Sequence, residues 1–555
     1  MRKFILAAAA VLCACRSQAQ PPAAPPAAGA PRLLVVISVD QFSANLFDEY
    51  RPQFRNGLAR LASGTVFHNG YQSHAATETC PGHSTILTGD HPARTGIIGN
   101  TWVDQSVQRA DTTIYCAEDE SVPGTTSIAY KVSPKHLLVP TLGELMKARW
   151  PGSRNVAVSG KDRAAVMMTG HRADQRWYWT GSKFGTDLAD APAPRAVGKV
   201  NAAIAAALAQ PRPPLEPPPF CQAKARPIPV ENSSKTVGEG RFARAAGDSI
   251  ALKTSPELDG DTLALAAALL DEMQLGRRSE PDLLAISLSA TDYVGHAYGT
   301  EGEEMCLQML ELDREIGDFL ELLDSRGIDY AVALTADHGG LDTPERLRLA
   351  GVADAARTVP DINSKTMGAK LAQQLGLPGP GLIGSWNFGD MYVDRKLPPK
   401  DRERLLAAAV AAYSAQPQVE AVFTAKQLAA TPMPTGLPER WTPIQRARAS
   451  FYAPRSGDFL VVLKPDITPI FDTSGPFIAT HGSMWDYDRR VPILFWRPRQ
   501  AGSNVETAAD TTDIMPTLAA MIGLGVSPGS VDGHCLAQVA QCSSGTTSRA
   551  ERGQR

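Results

Sequence analysis

The chain alternates between apolar runs and segments whose apolar residues recur at helical spacing. Leu33–Val39 is an apolar run rich in valine and isoleucine, which is typical of a strand buried on both faces of a parallel sheet. Similar runs predict five more strands, at Asn155–Ser159, Asp282–Leu288, Tyr330–Thr335, Phe459–Leu463 and Val491–Trp496. Residues 261–274 and 303–324 carry the helical period between them. Strands that alternate with helices predict an α/β domain with a mainly parallel sheet.

Two stretches interrupt this alternation. Residues 211–229 are rich in proline and predict an ordered surface excursion, since Cys221 lies inside them. Residues 355–455 separate two strand regions by more than a crossover connection requires, so we interpret them as an inserted cap. We therefore predict one large domain over residues 32–542, with insertions near 205–240 and 355–455.

Both ends of the chain differ from this domain. Two basic residues, a short apolar run and a small-x-small cleavage site predict a secretory signal peptide over residues 1–19. The run is shorter than the roughly 20 residues of a membrane-spanning helix. Residues 12–15 also loosely resemble a lipoprotein box, and lipid anchoring at Cys15 is the less favoured alternative to simple cleavage. Residues 20–31 form a linker of proline and alanine, and residues 543–555 form a polar tail.

Composition and charge exclude several classes of protein. With 43% hydrophobic and 20% charged residues, the 555-residue chain is typical of a globular protein rather than a disordered one. Its formal net charge of −3 provides no basic surface for nucleic acid, so we exclude nucleic-acid binding as its main role. We predict a periplasmic or secreted protein without a transmembrane span.

The cysteine count agrees with export. Two of the eight cysteines lie in the signal region, and an even number in an exported chain predicts three disulfides. Spacing alone leaves their pairing open. The six are Cys80, Cys116, Cys221, Cys306, Cys535 and Cys542.

Acidic residues and histidines follow the ends of three predicted strands, and His481 precedes another. Ligands of open α/β sheets bind beyond the carboxyl ends of the strands, so these side chains should meet. Three aspartates and three histidines amount to two sets of the nitrogen and oxygen ligands that zinc takes. Two such metals, about 4 Å apart, can clamp the attacking and leaving oxygens of a phosphoryl displacement. The six residues are Asp40, Asp292, His296, Asp337, His338 and His481.

The candidate nucleophile is a threonine that precedes a short helical stretch extending to Leu87. Thr79 lies in the segment Thr77–His83, where backbone N–H groups and the helix dipole would meet an anion. A threonine hydroxyl is a poor nucleophile until a metal or base lowers its pKa. Without the metal ligands, a simple helix N-cap would be the better interpretation of Thr79.

Together these segments resemble the alkaline phosphatase superfamily, and specifically its bacterial threonine-nucleophile alkaline phosphatases, which are related to nucleotide pyrophosphatase/phosphodiesterases. The resemblance covers nearly the whole mature domain, and the set of motifs is highly specific. The matching stretches, in order, are Val39-Asp40, Thr77 to Ser84, Gly99-Asn100, Gly160 to Arg163, Thr291 to His296, Ala336 to Gly339 and Thr480 to Gly482. The resemblance implies a three-layer sandwich with a central, mainly parallel sheet and inserted cap segments.

The resemblance also implies roles for individual residues. It implies two Zn²⁺ ions, with room for an additional Ca²⁺. One zinc would be held by Asp292, His296 and His481, and the other by Asp40, Asp337, His338 and the nucleophile Thr79. The residues that match the phosphate-contacting positions are Asn100, Lys161 and Arg163, with the backbone N–H of Cys80. The implied disulfides are Cys80–Cys116, Cys221–Cys306 and Cys535–Cys542.

The pair Lys161 and Arg163 separates two kinds of phosphate ester. A monoester carries about two negative charges, and additional cations stabilise it selectively. The diesterase branch usually lacks this pair. We therefore predict an exported, monomeric alkaline phosphatase that hydrolyses small-molecule phosphate monoesters through a phosphothreonine intermediate. The alternative is a phosphodiesterase or nucleotide pyrophosphatase on the same scaffold.

Three further classes of protein fit the residues less well. A sulfatase makes its formylglycine from a cysteine followed by proline two positions on and arginine four positions on, whereas here Thr79 takes the place of the cysteine and His83 that of the arginine. A cofactor-independent phosphoglycerate mutase would use serine and lack an export signal. An inactive binding protein would have lost part of the site, yet all ten positions hold competent residues. For the remaining seven histidines, His83 among them, we predict packing or surface roles.

Overall fold

The computed structural model describes residues 26–384 and 389–542. The predicted signal peptide, Cys15, the first half of the predicted linker and the polar tail lie outside the described residues. Among the helices that are described, none is both long and apolar enough to cross a membrane.

Strands make up several sheets in the described part of the chain. In chain order they are Leu33–Val39 (β1), Thr65–Tyr71 (β2), Thr101–Val103 (β3), Thr113–Tyr115 (β4), Asn155–Ser159 (β5), Gln175–Trp179 (β6), Phe184–Gly185 (β7), Ile228–Pro229 (β8), Thr236–Val237 (β9), Asp282–Leu288 (β10), Tyr330–Thr335 (β11), Ala356–Arg357 (β12), Leu382–Gly384 (β13), Asp390–Val393 (β14), Val419–Thr424 (β15), Phe459–Leu463 (β16), Ile467–Thr468 (β17), Arg490–Trp496 (β18), Ser503–Val505 (β19) and Ala509–Asp510 (β20).

Helices connect and cover these strands. In chain order they are Ala44–Tyr50 (α1), Gly57–Leu61 (α2), Thr79–Thr88 (α3), Pro92–Thr95 (α4), Leu142–Arg149 (α5), Asp162–Thr169 (α6), Arg195–Leu208 (α7), Pro219–Gln222 (α8), Ser249–Lys253 (α9), Glu257–Glu272 (α10), Ala290–Tyr298 (α11), Glu303–Ser325 (α12), Pro344–Leu349 (α13), Ser364–Leu375 (α14), Pro399–Ser414 (α15), Ala425–Ala430 (α16), Pro443–Ser450 (α17), Asp486–Arg489 (α18) and Ile514–Met521 (α19). The predicted helices at 261–274 and 303–324 correspond to α10 and α12.

The main sheet has ten strands, in the order β19-β2-β18-β11-β1-β10-β5-β6-β7, with β20 also paired to β2. Its centre, β11-β1-β10-β5-β6, is parallel throughout. Strand β18, predicted among the parallel-type runs, instead pairs antiparallel with both β11 and β2. An apolar run reports that a strand is buried, but it carries no information about the strand's direction.

Helices cover both faces of the main sheet and bury its alternating side chains. In β1, Leu33, Val35 and Ile37 pack into a core that also contains residues of α10 and α12. Leu34 and Val36 point to the opposite face, where α3, α5, α6 and α19 contribute. Because side chains alternate along a strand, the continuous apolar run of β1 requires both layers. The predicted α/β fold with a central, mainly parallel sheet is confirmed.

A second, four-stranded sheet has the order β13-β14-β16-β15, and its neighbouring strands are antiparallel. It has its own apolar core, which includes Leu405, Tyr413 and Phe459. The sequence analysis grouped β16 with the strands of the main sheet, and this prediction was wrong, because β16 belongs to the second sheet. This strand is apolar because it covers a second core, and the apolar run alone could not reveal that.

Three disulfides tie the layers together. Cys221, in the proline-rich excursion, is bonded to Cys306 of α12. Cys80–Cys116 joins the first turn of α3 to the segment after β4, and Cys535–Cys542 closes a short C-terminal loop. All three pairings implied by the family resemblance are therefore present.

Helix α3 approaches the segment after β11 very closely. A Cβ atom added at Gly82 would lie 2.0 Å from the carbonyl oxygen of Asp337. The Gln72 amide bridges the same two segments, because its Nε2 donates to the carbonyl oxygens of Gly82 and Ala336. Glycine at position 82 therefore allows the residue Thr79, at the start of α3, to lie beside Asp337.

We predict that Gly82→Ala lowers the free energy of unfolding by at least about 2 kcal/mol, because the new methyl group has to displace backbone. The thermal unfolding midpoint measures this change. Gly198→Ala is the control, since Gly198 lies exposed in α7 with nothing within 4 Å of an added Cβ. That control should unfold at the same or a higher temperature, because alanine favours a helix. An unchanged midpoint for Gly82→Ala would contradict the close approach.

Candidate metal and phosphate site

The predicted residues meet at the carboxyl ends of the central parallel strands. Asp40 follows β1, Asp337 and His338 follow β11, and α11, which starts two residues after β10, carries Asp292 and His296 one helical turn apart. The remaining positions, in chain order, are Thr79 at the first residue of α3, Asn100 before β3, Lys161 and Arg163 at the start of α6, and His481 in the loop before β18. The crossovers of a parallel sheet place the carboxyl ends of its strands at one edge, so residues that are distant in the chain converge there.

One cluster centres on the carboxylate of Asp292. Its Oδ1 lies 3.3 Å from Nε2 of His296 and 3.3 Å from Nε2 of His481. The imidazole of His338 stacks on that of His481, with ring centres 3.6 Å apart. The side chains of Asp292, His338 and His481 can direct ligand atoms to a common point.

A second cluster adjoins the first through His338. Its Nε2 lies 3.5 Å from Oδ1 of Asp40 and 3.4 Å from Oδ2 of Asp337. These three side chains also offer ligand atoms within 4.8 Å of one another. The structure thus brings the six predicted ligand residues together, but the first group with ligand atoms near a common point contains His338 where the sequence suggested His296. His338 is shared by both groups, and His296 contacts the first through Asp292.

Each histidine of the clusters is oriented by the backbone. Nδ1 of His296 lies 2.8 Å from the Ala479 carbonyl oxygen, and Nδ1 of His481 lies 2.8 Å from that of Thr77. Nδ1 of His338 lies 2.9 Å from the carbonyl oxygen of Gly339. A carbonyl can only accept, so each Nδ1 carries a proton and each Nε2 faces the carboxylates. This arrangement is usual for histidines that bind metal.

The electrostatics of the clusters suit cations. Oδ1 of Asp40, Oδ1 of Asp292 and Oδ2 of Asp337 are buried and, within the described residues, none of them makes a hydrogen bond of normal geometry. Burial and the repulsion from Asp292 and Asp337 raise the pKa of Asp40 well above its usual value. Burial also lowers the pKa of His338 to about 3, which keeps its imidazole in the neutral form that binds metal. Buried carboxylate oxygens beside imidazole nitrogens are donors that suit divalent metal ions, so both clusters are able to hold one.

Lys161 connects the two clusters to the candidate nucleophile. Its buried ammonium lies 2.7 Å from Oδ2 of Asp40 and 2.5 Å from Oδ2 of Asp292. Each carboxylate therefore turns one oxygen to the lysine and the other to the imidazoles. Although burial alone would lower the pKa of Lys161, Asp292 and Asp40 raise it above its usual value, so the lysine stays charged.

Thr79 faces two cations. Its Oγ1 lies 3.4 Å from Nζ of Lys161 and 3.3 Å from Nη2 of Arg163. The Nε atom of Arg163 is buried and has no hydrogen-bond partner within the described chain, so this guanidinium retains a donor for a ligand. Thr79 is the first residue of α3, with Glu78 at the N-cap, so the simple capping interpretation of Thr79 does not apply.

Asn100 is held against the same helix. The backbone N–H of Cys80 donates to Oδ1 of Asn100 at 2.8 Å, which leaves the amide Nδ2 as the free donor end. The adjacent disulfide supports this arrangement, because the N–H of Cys116 donates to the Asn100 carbonyl oxygen. The Cys80 N–H, which the resemblance suggested as a direct phosphate donor, is therefore occupied by Asn100.

His83 is the residue that sequence reasoning missed. It is buried on α3, and its Nδ1 lies 3.1 Å from Oδ2 of Asp337 and 2.9 Å from the Thr79 carbonyl oxygen. Its Nε2 lies 3.1 Å from Oγ of Ser287 in β10. The missed signal was its position one helical turn after Thr79, which places it on the same face of α3 as Thr79.

Known proteins share this architecture. The chain matches, over residues 34–484, the family described as type I phosphodiesterase/nucleotide pyrophosphatase. It is 52% identical over 519 residues to alkaline phosphatase PhoK of a Sphingomonas species, which covers 93% of this chain and 92% of that protein. Alkaline phosphatase PhoD of Zymomonas mobilis is 47% identical over 509 residues, covering 91% of this chain and 88% of that protein.

Solved structures agree with the sequence matches. The crystal structure of wild-type alkaline phosphatase PafA superposes with a TM-score of 0.80 at 25% identity, covering 93% of this chain and 100% of that one. Murine ectonucleotide pyrophosphatase/phosphodiesterase 5 shares the fold, with a TM-score of 0.52 at 12% identity over 90% of this chain and 97% of its own. The extent of these matches shows that the chain belongs to the type I phosphodiesterase/nucleotide pyrophosphatase family, within the alkaline phosphatase superfamily.

Proposed function

We propose that this protein is an alkaline phosphatase that hydrolyses phosphate monoesters, with Thr79 as its nucleophile. The observation that carries the proposal is the convergence of Lys161 and Arg163 on Oγ1 of Thr79. The proteins most similar in sequence described above are named alkaline phosphatases, and they match nearly the whole chain. Export through the segment 1–19 agrees with the three disulfides, which are stable outside the cytoplasm.

We assign the metals as two Zn²⁺ ions. Asp292, His296 and His481 would hold one, and Asp40, Asp337 and His338 the other, together with the oxygen of Thr79. Nitrogen and carboxylate ligands are those that catalytic zinc takes. When bound, two such cations supply the positive charge that lowers the pKa of the Thr79 hydroxyl and stabilises a departing oxygen.

The residues of the chain determine how a phosphoryl group is positioned and transferred. Arg163 and the amide of Asn100 hold its free oxygens, and Lys161 adds a positive charge beside them. The Thr79 hydroxyl gives up its proton as a bond forms between its Oγ1 and phosphorus and the bond from phosphorus to the leaving oxygen breaks. The leaving alkoxide takes up a proton and departs as the alcohol. Water then cleaves the phosphothreonine, which returns free Thr79 and releases inorganic phosphate.

The two cations favour a monoester over a diester. A bound monoester presents three unsubstituted oxygens and about two negative charges, whereas a diester presents two oxygens and about one charge. Lys161 and Arg163 both lie at Thr79, where these oxygens have to be placed for attack. The extra charge is therefore matched where it develops in the transition state.

Thr79→Ala should lower kcat for an aryl phosphate by at least about a thousandfold, because the covalent route needs the hydroxyl. Its metal content should remain that of the unmodified protein. Mass spectrometry of acid-quenched reactions should find phosphate on Thr79 in the unmodified protein and on the serine of the matched control, Thr79→Ser. Full activity of Thr79→Ala would contradict the proposed nucleophile.

Arg163→Ala should lower kcat/KM for an aryl monoester by about 10- to 100-fold, the loss expected for one charge-assisted hydrogen bond. The loss for the matching diester should be several-fold smaller, so the ratio of the two constants should fall. Arg172→Ala, which removes an exposed arginine just beyond α6, serves as the control and should change neither constant. Equal losses for both esters would favour the phosphodiesterase alternative.

A further inference from the structure

A cleft of about 820 Å³ opens directly beside the proposed site. His481 and Gly482 line it, as do Glu78 and Gly99, the neighbours of Thr79 and Asn100 in the chain. Residues of the second sheet, in β14 and β16, form part of its far wall. A group that leaves the phosphorus on the side of His481 therefore enters this cleft.

The entrance of the cleft is unusually apolar. Seven large hydrophobic side chains are exposed within the described residues, and three of them line this one cleft: Val359, Phe471 and Phe477, which are 45%, 49% and 43% exposed. The ring of Phe477 lies over that of His296, with centres 4.5 Å apart. Clustered exposed apolar side chains indicate a binding surface, whereas scattered ones do not.

The loop that carries the two phenylalanines is fixed from behind. Nη1 of Arg357 donates to the Ile478 carbonyl oxygen at 2.8 Å, and Nζ of Lys235 donates to that of Thr473 at 3.0 Å. The N–H of Ile478 donates to the carbonyl oxygen of His296. The aromatic rings are therefore held in position before any ligand binds, which lowers the entropy cost of binding.

Most of the ionisable side chains in the described lining of the cleft are acidic. Among the described residues that line it there is no lysine or arginine, whereas Glu78, Asp390, Asp472 and Asp488 contribute carboxyl groups. Behind the loop, Lys235 donates to backbone carbonyl oxygens, and Arg357 is held by the Glu345 carboxylate and the Ile478 carbonyl oxygen. A second anionic group on the substrate would thus meet carboxylates and apolar surface, with no cation to pair with it.

We infer that this cleft is a leaving-group subsite for uncharged aromatic groups, formed by Val359, Phe471 and Phe477 next to His481. The inference rests on the proposed phosphomonoesterase function and specifies its substrate class. Aryl monoesters whose ring carries no other anion are preferred, and monoesters with a second phosphate or a carboxylate are disfavoured.

The test compares two aryl phosphates of the same shape and similar leaving-phenol acidity, one with a carboxamide on the ring and one with a carboxylate. The unmodified protein should show a kcat/KM at least about tenfold higher for the carboxamide. Val359→Lys should raise the constant for the carboxylate several-fold and lower that for the carboxamide, because the lysine replaces one of the apolar contacts of the uncharged ring. Leu349→Lys introduces the same charge at an exposed apolar position outside the cleft and should change neither.

The aromatic contact is tested separately with Phe471→Ala, which avoids the ring that packs on His296. This change should lower kcat/KM for the carboxamide about 2- to 10-fold, as expected for one lost aromatic contact, and leave glycerol phosphate unaffected. Equal constants for the two aryl esters, or equal effects of Val359→Lys and Leu349→Lys, would overturn the subsite while leaving the monoesterase proposal intact. Hydrolysis of diesters without hydrolysis of either monoester would overturn both.

Discussion

Three buried carboxylates placed against one another are the constraint on which the rest of this site depends. Asp40, Asp292 and Asp337 repel one another, and two like charges about 4 Å apart in a protein interior cost about 4 kcal/mol. The ammonium of Lys161 offsets this repulsion on one side, where it contacts Asp40 and Asp292. On the other side the carboxylate oxygens face imidazole nitrogens of His296, His338 and His481. Cations between these oxygens and nitrogens would complete the balance.

The surrounding backbone holds these side chains in position. Backbone carbonyls fix the three imidazoles, and the loop around Ile478 both orients His296 and carries the exposed phenylalanines. Gly82 lets α3 approach Asp337, so the nucleophile and its supporting His83 reach the second cluster. The loop around Ile478 and helix α3 thus position the metal-site residues, Thr79 and the apolar surface of the cleft together.

Much of this arrangement could be predicted from the sequence because parallel strands end at a common edge. The strand β1 and the ligands that follow β1, β10 and β11 are examples, since an apolar run followed by an acidic residue defines both strand and edge. The sheet to which β16 belongs could not be predicted, because its apolar residues would equally suit either core. His83 was missed because a single histidine on a helix gives no signal until its neighbours in space are known. The apolar entrance of the cleft was missed for the same reason, since it combines Val359 and Phe471 from segments far apart in the chain.

We propose that the two carboxylate and imidazole clusters are a pair of zinc sites beside Thr79. Anomalous diffraction from crystals of the zinc-loaded protein, recorded on both sides of the zinc absorption edge, tests it most directly. The account predicts two zinc peaks, one contacted by Asp292, His296 and His481 and the other by Asp40, Asp337 and His338. A single peak, or zinc bound elsewhere while these carboxylates keep only their contacts with Lys161, would contradict it.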